Sequence, residues 1–247
     1  MDPSRCVVLV PVHDYIEPGC AEGLAELERR GYPVWRVYGC SAIDQARSQI
    51  ATDALAQGFE ELMWIDADVR FEPKSVEMLR SHDLPVVGGI YAKKMARELV
   101  CSLLPGTTKI TFGEGGGVIE IRYAACGFLL TRRNVYEKIL QREKLPVCNT
   151  QFGRANIPFF LPMIIPDGEN HWYLGEDYSF CERARKSGFA IHADTRIRLE
   201  HIGKYGFTWE DAGNGRDRYS SFDFTIRQRS VAADDLADGD PIIDKAS

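Results

Sequence analysis

The first half of the chain alternates short apolar runs with segments of helical periodicity. Apolar runs bounded by turn residues predict buried strands at residues 6–10, 34–38, 62–65 and 85–90. Helices are predicted between them, at residues 21–30, from Ser41 to Gly58, and after Pro73. This alternation of strands and helices is typical of an α/β domain with a largely parallel sheet.

The pattern changes after residue 99. Residues 109–112 and 118–122 flank a glycine-rich segment and predict an antiparallel hairpin. Further predicted elements are a strand at 124–130, a helix at 134–141, an irregular segment at 146–168 and a helix at 176–186. The expected fold is therefore α/β, with a mainly parallel central sheet flanked by helices and a smaller antiparallel part.

These elements predict a single Rossmann-like domain over residues 1–231. Residues 232–247 are acidic and rich in small side chains, which predicts a poorly ordered tail.

The net charge of −6 comes without a dense Lys/Arg block, so nucleic acid is not an expected partner. The seven cysteines are scattered without metal-binding spacing, which predicts reduced thiols and a cytoplasmic protein. No apolar run is long enough to span a bilayer, so no integral membrane segment is expected.

Two carboxylates follow the strand at 62–65, in the segment Asp66-Ala67-Asp68. Ligands of open α/β sheets bind at the carboxyl ends of strands. Carboxylates this close repel each other unless a cation lies beside them, and their oxygens favour hard ions such as Mg²⁺ or Mn²⁺. The segment therefore predicts a metal that carries a phosphorylated ligand. The alternative is that one Asp caps the following turn and the other is solvated.

A second acidic pair, Glu176 and Asp177, lies at the start of a predicted helix. A carboxylate beside a bound hydroxyl can act as a general base, and its neighbour can orient the acceptor. Acids at a helix start are also favoured by the helix dipole, so ordinary capping is the alternative. His201 follows later in the chain, and its imidazole is either a metal ligand or an ordinary core or surface side chain.

The order and spacing of these three features resemble the glycosyltransferases of GT-A fold, of the family-2-like kind. The resemblance covers about residues 5–206, and its most specific parts are 64–68, 127–132 and 175–185 with His201. It implies a GT-A domain with nucleotide-sugar-dependent glycosyltransferase activity of the hexosyltransferase type. The implied donor is a nucleoside-diphosphate sugar, and the implied acceptor is a carbohydrate or another hydroxyl-bearing molecule.

The same resemblance implies a donor site. Asp66 would bind the ribose, Asp68 would bind Mn²⁺ or Mg²⁺, and His201 would be a further ligand of the metal or the diphosphate. The other implied donor-site residues are Pro11, Val12, His13 and Asp14 at the base, Asp44 and Arg47 at the base or diphosphate, Gly127 near the donor sugar, and Lys204 in a lid.

Several of these positions have ordinary structural alternatives. Ser41 and Asp44 fit a capping box, and Arg47 fits a solvated helix position. Lys93 and Lys94 follow a predicted strand and are each candidates to reach a phosphate or the acceptor.

By resemblance, Asp177 is the catalytic base of an inverting displacement, with Glu176 beside it. A bound metal would stabilise the charge on the leaving nucleoside diphosphate. The chain lacks the Gln-x-x-Arg-Trp run and the membrane helices of many family-2 enzymes, so polymer synthesis and export are not expected.

Two alternatives to a glycosyltransferase remain at this point. A haloacid-dehalogenase-like phosphohydrolase also carries Asp-x-Asp after a strand and uses the first Asp as its nucleophile. That motif normally lies on the first strand, however, and this chain has Arg70 where the motif carries Thr or Val. The other alternative is a non-catalytic nucleotide-sugar or carbohydrate-binding protein of the same fold, in which Asp177 has no catalytic role.

Overall fold

The computed structural model describes residues 1–94, 96, 98–203, 205–212 and 221–226. The helices in this part of the chain are α1 (Pro18–Arg29), α2 (Ile43–Ala56), α3 (Lys74–Ser81), α4 (Arg133–Glu143) and α5 (Glu176–Lys186). The strands are β1 (Cys6–Val12), β2 (Val34–Tyr38), β3 (Glu61–Ile65), β4 (Val69–Arg70), β5 (Val86–Gly88), β6 (Cys101–Ser102), β7 (Lys109–Gly113), β8 (Val118–Ile121), β9 (Tyr123–Ala124), β10 (Phe128–Arg132), β11 (Met163–Asp167), β12 (Asn170–Leu174), β13 (Ile191–Asp194), β14 (Glu200–Ile202), β15 (Gly206–Phe207) and β16 (Ser221–Thr225). The predicted acidic tail and Lys204 lie outside the described residues.

A seven-stranded sheet forms the centre of the protein, with strand order β2-β1-β3-β10-β5-β13-β8. β1 is parallel to β2 and β3, and β5 is parallel to β13. β10 lies antiparallel between β3 and β5, and β8 is antiparallel to β13 at the edge. β3 and β5 consequently share one direction, so five of the seven strands run the same way and two run opposite. The expected α/β sheet, mainly parallel with an antiparallel part, is confirmed.

The helices cover both faces of this sheet. Val7 and Leu9 of β1 pack in one apolar cluster with buried residues of α2, α4 and α5. Val8 and Val10 point to the other face and pack with α1 and α3. All residues of β1 and β3 are buried, because a strand covered on both faces has no solvent side. These two strands therefore appear in the sequence as continuous apolar runs.

The predicted hairpin of residues 109–112 and 118–122 is wrong. β7 pairs with β16, whereas β8 pairs with β13 in the central sheet. The glycine-rich turn between β7 and β8 closes around Thr195: the Gly113 N–H donates to Thr195 O at 3.0 Å, and the Gly117 N–H donates to Thr195 Oγ1 at 3.0 Å. These bonds hold the turn against the end of β13 and leave β7 and β8 to pair with other strands.

Three local features also differ from the sequence prediction: a strand that is divided in two, a strand in a segment predicted to be irregular, and a helix cap that does not form. The strand predicted at 124–130 is two strands, β9 and β10, which lie in different sheets. The segment predicted as irregular at 146–168 contains β11, which pairs with β12. α2 begins at Ile43 without a side-chain cap, so the capping box from Ser41 to Asp44 does not form.

The strand directions bring distant residues to one edge of the sheet. The carboxyl ends of β1, β3 and β5 meet there because these strands are parallel. The antiparallel β10 begins at the same edge, so Gly127, just before it, lies beside Asp66, whose N–H donates to Gly127 O at 3.0 Å. β14 pairs with β4 and puts His201 opposite Val69, one residue after Asp68.

The seven cysteines are all free thiols. Within the described residues, no helix has both the length and the apolar character needed to cross a membrane.

Candidate active site

A cleft of about 510 Å³ opens at this edge of the sheet. Pro11, His13 and Asp14 line it from the end of β1. Arg47 of α2, the segment Asp66-Ala67-Asp68 after β3, and Glu176 at the start of α5 line it as well. The two acidic segments, which are about a hundred residues apart in the sequence, therefore contribute to one cavity.

The loop that carries the first acidic pair is held by backbone hydrogen bonds. Asp66 O accepts from the Val69 N–H at 3.1 Å, and Ala67 O accepts from the Glu17 N–H at 2.8 Å. Asp68 O accepts from the Ile202 N–H at 2.7 Å. The first of these bonds closes a turn within the loop, and the other two bind the loop to the segment before α1 and to β14. The fold therefore holds the backbone that carries both carboxylates in place.

Arg47 is buried between the two acidic pairs, with 3% of its surface exposed. Its Nη2 donates to Asp66 Oδ1 at 2.7 Å, and its Nε lies 3.5 Å from Glu176 Oε1. Burial disfavours the charged form of Arg47, but the charges of Asp66 and Glu176 outweigh burial and raise its pKa. Arg47 is therefore a permanent cation that neutralises Asp66 and links β3 to the start of α5.

Asp68 faces two other basic side chains. Lys94 Nζ donates to Asp68 Oδ2 at 2.5 Å, and His201 Nε2 lies 3.7 Å from Asp68 Oδ1. Lys93, the neighbouring candidate, pairs instead with Glu98 on the exposed surface. The structure thus separates two lysines that the sequence left equivalent.

The chemistry of Asp68 and His201 fits a divalent metal that is shared with a ligand. His201 Nδ1 lies 3.1 Å from Ala92 O, and a proton on Nδ1 would leave the Nε2 lone pair facing Asp68. Burial lowers the pKa of His201, which favours this neutral, ligating form. No group of three or more His, Cys, Asp or Glu side chains among the described residues is arranged around a metal position. A metal held by these two side chains would need further ligands such as water, which Mg²⁺ sites commonly include.

Asp177 lies in the first turn of α5, half-buried beside the cleft. Burial, with the charge of Glu176 next to it, raises the pKa of Asp177 to about 7. The Tyr178 N–H, which donates to Asp177 Oδ1 at 2.7 Å, and the charge of Arg47 act in the opposite direction. A carboxyl with a pKa near neutrality can exchange a proton with a substrate, which an ordinary capping Asp does poorly.

Of the predicted site residues that the structure describes, five do not line the cleft: Val12, Asp44, Gly127, Asp177 and His201. Val12 is fully buried in the apolar cluster around α1 and α3, so only its backbone is available to a ligand. Asp44 lies in the first turn of α2. His201 lies behind Asp68, which lines the cleft, with its Nε2 3.7 Å from Asp68 Oδ1. Asp177 is close enough to Asp66 and Arg47 for their charges to affect its pKa.

Gly127 is needed for packing at the site. A Cβ at this position would overlap Tyr91 Oη and lie 3.0 Å from Asp66 Oδ2. Tyr91 is 3% exposed, and its ring packs edge-on against His201 with centroids 5.0 Å apart. The absence of a side chain at Gly127 therefore lets Tyr91 fit between Asp66 and His201.

The sequence analysis did not identify Tyr91, which is buried beside Asp66 and His201. It also did not identify five residues that line the cleft: Tyr15, Glu17, Cys40, Ile43 and Ile202. Tyr91 follows closely after β5 at the same sheet edge as Asp66, so its position at a strand end was the available clue. Tyr15, Glu17 and Cys40 lie in connecting segments, whereas Ile43 begins α2 and Ile202 ends β14. Which of these side chains reach the cleft depends on the tertiary structure.

No protein-family profile matches the sequence, and no curated protein matches it significantly. Among solved structures, the protein is similar to the crystal structure of A197 from STIV, with a TM-score of 0.53 and 15% sequence identity, over 92% of this chain and 100% of that chain. It also matches, with a TM-score of 0.28 and 18% identity over 53% of this chain and 62% of the other, the crystal structure of a glycosyltransferase involved in the glycosylation of the major capsid of PBCV-1. The described part of the chain has a GT-A-like fold, with a mixed seven-stranded sheet flanked by five helices.

Proposed function

We propose that this protein is a glycosyltransferase that moves a sugar from a nucleoside-diphosphate sugar to an acceptor hydroxyl. One observation carries the proposal: the Asp66–Asp68 loop and the acidic start of α5 meet at one cleft, where Arg47 links Asp66 to Glu176. Arg47 thereby holds the proposed donor-binding Asp66 close to the start of α5, which carries the proposed base Asp177 next to Glu176. Glycosyl transfer requires these two groups together, because one molecule leaves as the other attacks.

On the donor side, Pro11, His13 and Asp14 form the wall of the cleft nearest the end of β1 and are proposed to contact the nucleotide base. Asp66 is proposed to bind the ribose. Asp68 and His201 would hold Mn²⁺ or Mg²⁺. Bound there, the metal would stabilise the negative charge that the diphosphate gains as the glycosidic bond breaks.

On the acceptor side, Asp177 is proposed as the general base and Glu176 as the group that orients the acceptor. The acceptor oxygen attacks the anomeric carbon while its proton moves to Asp177, and the bond from that carbon to the diphosphate oxygen breaks. Direct attack from the opposite face inverts the anomeric centre. The raised pKa of Asp177 supports this role, because a base with a pKa near the working pH accepts a proton effectively.

The geometry favours transfer over the two alternatives. A phosphohydrolase of the haloacid-dehalogenase type needs the first Asp as a nucleophile, but Asp66 Oδ1 is engaged by Arg47 and the motif follows the third strand. Against a protein that only binds sugar nucleotides, Asp177 is a half-buried carboxyl with a raised pKa beside the cleft, and such groups are concentrated at catalytic sites. The proposal also includes a hexosyl group, a carbohydrate acceptor and a cytoplasmic location.

Nucleotide release from a panel of UDP-sugars and GDP-sugars tests this proposal. The protein is incubated with each donor and Mn²⁺, with and without simple sugar acceptors, and released UDP or GDP is measured. We expect release from one donor class, stimulated by an acceptor and lost in Asp177→Asn. Release of inorganic phosphate from a phosphate monoester, abolished by Asp66→Asn, would instead support the phosphohydrolase.

A further inference from the structure

The Lys94 side chain reaches Asp68 through space that is free because residue 203 is glycine. Its side chain crosses Gly203, where an added Cβ would lie 3.3 Å from Lys94 Cδ and 3.7 Å from Lys94 Cγ. A larger side chain at position 203 would crowd this path. The ammonium group is then 2.5 Å from Asp68 Oδ2, and both partners are about one-third exposed, with 33% of Lys94 and 37% of Asp68 accessible.

Each carboxylate of the Asp-x-Asp segment therefore has its own cation, but the two cations differ. Arg47 is buried and holds Asp66 permanently. Lys94 is partly exposed and carries a point charge on a flexible stem, which can change partners without disturbing the core. Of the two ion pairs, the one at Asp68 is the one in which another cation can replace the side chain.

We propose that Lys94 competes with the divalent metal for Asp68 in the nucleotide-free protein and transfers to the donor diphosphate when the metal binds. This inference rests on the proposed function for the identity of the donor. A metal ion and an ammonium group on the same carboxylate repel each other, so the metal binds weakly while Lys94 remains there. A diphosphate supplies Lys94 with an alternative anion. Metal and nucleotide consequently bind cooperatively.

Mn²⁺ binding to the full-length protein without nucleotide tests the competition. Affinity is measured by electron paramagnetic resonance of free Mn²⁺ and by calorimetry, for wild type, Lys94→Met and Lys93→Met. The last variant is the matched control, because Lys93 is the adjacent lysine and pairs with Glu98 away from the cleft. We expect Lys94→Met to bind Mn²⁺ about tenfold more tightly than wild type, and Lys93→Met to be unchanged.

A second titration follows UDP and GDP at saturating Mn²⁺. Lys94→Met is expected to bind the preferred nucleotide about three- to tenfold more weakly, since the diphosphate loses a cation. Wild-type affinity of Lys94→Met for Mn²⁺, or weaker affinity, would overturn the competition. Tighter Mn²⁺ binding by Lys94→Met, with no nucleotide binding by any of the three proteins, would support the competition for Asp68 and contradict the proposed donor site. The competition and the donor site can therefore be refuted independently.

Discussion

At the scale of single residues, Asp177 carries most of the chemical argument. Its carboxyl is half-buried and lies next to Glu176, so its charged form is disfavoured and its pKa rises to about 7. The Tyr178 N–H and the charge of Arg47 favour the charged form, but burial is the larger influence on the pKa. Asp177 is therefore protonated in mildly acidic solution and becomes a base only near neutrality.

This pKa predicts the pH dependence of the reaction. Below about pH 7, kcat/KM should fall about tenfold for each pH unit, because the protonated carboxyl cannot accept the acceptor's proton. Above that pH it should level off. Asp177→Asn should lower kcat by about 10²- to 10⁴-fold and leave nucleotide affinity nearly unchanged. An activity that is flat from about pH 5.5 to 8.5 would show that Asp177 is not the base.

Gly127 provides a second prediction at this scale. Gly127→Ala should destabilise the protein by about 2 kcal/mol in urea unfolding, because the new methyl overlaps Tyr91 in a closely packed site. Nucleotide binding should weaken as well, since Asp66 lies within reach of the same methyl. Gly117→Ala is the control: a Cβ there meets nothing within 4 Å, and a loss equal to that of Gly127→Ala would contradict the packing argument.

At the scale of elements, the sequence predicted which segments form strands and helices better than how the strands pair. β1 and β3 were evident because strands buried on both faces are apolar throughout. The partners of β7 and β8 were not, because a glycine-rich turn is compatible with a hairpin and also with the loop that closes around Thr195. Pairing depends on strands distant in the sequence, and local patterns do not report them.

The candidate site shows the same division. The sequence singled out Asp66, Asp68, Asp177 and His201 as candidates because each has a chemically informative side chain at or near an element boundary. Arg47 was predicted to contact the base or the diphosphate, and this contact stays a prediction. Its burial between acids of two elements was not predicted, and it shows that the alternative of a solvated helix position is wrong.

Arg47 should therefore act as a positioning residue between elements. Arg47→Met leaves Asp66 and Glu176 without their shared cation and should cost about 3 kcal/mol of unfolding free energy. The pH profile of any remaining activity should move to higher pH, because the Arg47 charge lowers the pKa of Asp177. Arg36→Met, which removes a more exposed pair with Glu28, should cost about 1 kcal/mol or less and leave the profile unchanged. An unshifted profile in Arg47→Met would contradict this role.

At the scale of the whole molecule, the GT-A-like fold is present although sequence comparison detects no family. A fold depends on the pattern of buried positions, which many sequences satisfy, and the match to A197 at 15% identity illustrates how little identity the pattern requires. The sheet gathers the ends of β1, β3 and β5 at one edge, with the start of the antiparallel β10 between them. Residues from separate parts of the chain become one site through the strand directions, the positions of α2 and α5, and the pairing of β4 with β14.

We propose that this edge of the sheet binds a nucleoside diphosphate with a metal at Asp68. Calorimetric titration of UDP and GDP, with and without Mn²⁺, tests this on wild type, Asp68→Ala and the exposed control Asp167→Ala. We expect wild type and Asp167→Ala to bind one nucleotide in a Mn²⁺-dependent manner, and Asp68→Ala to lose at least about tenfold in affinity. Equal binding by Asp68→Ala, or no binding of either nucleotide by wild type with Mn²⁺ present, would show that the metal and donor site is not at Asp68.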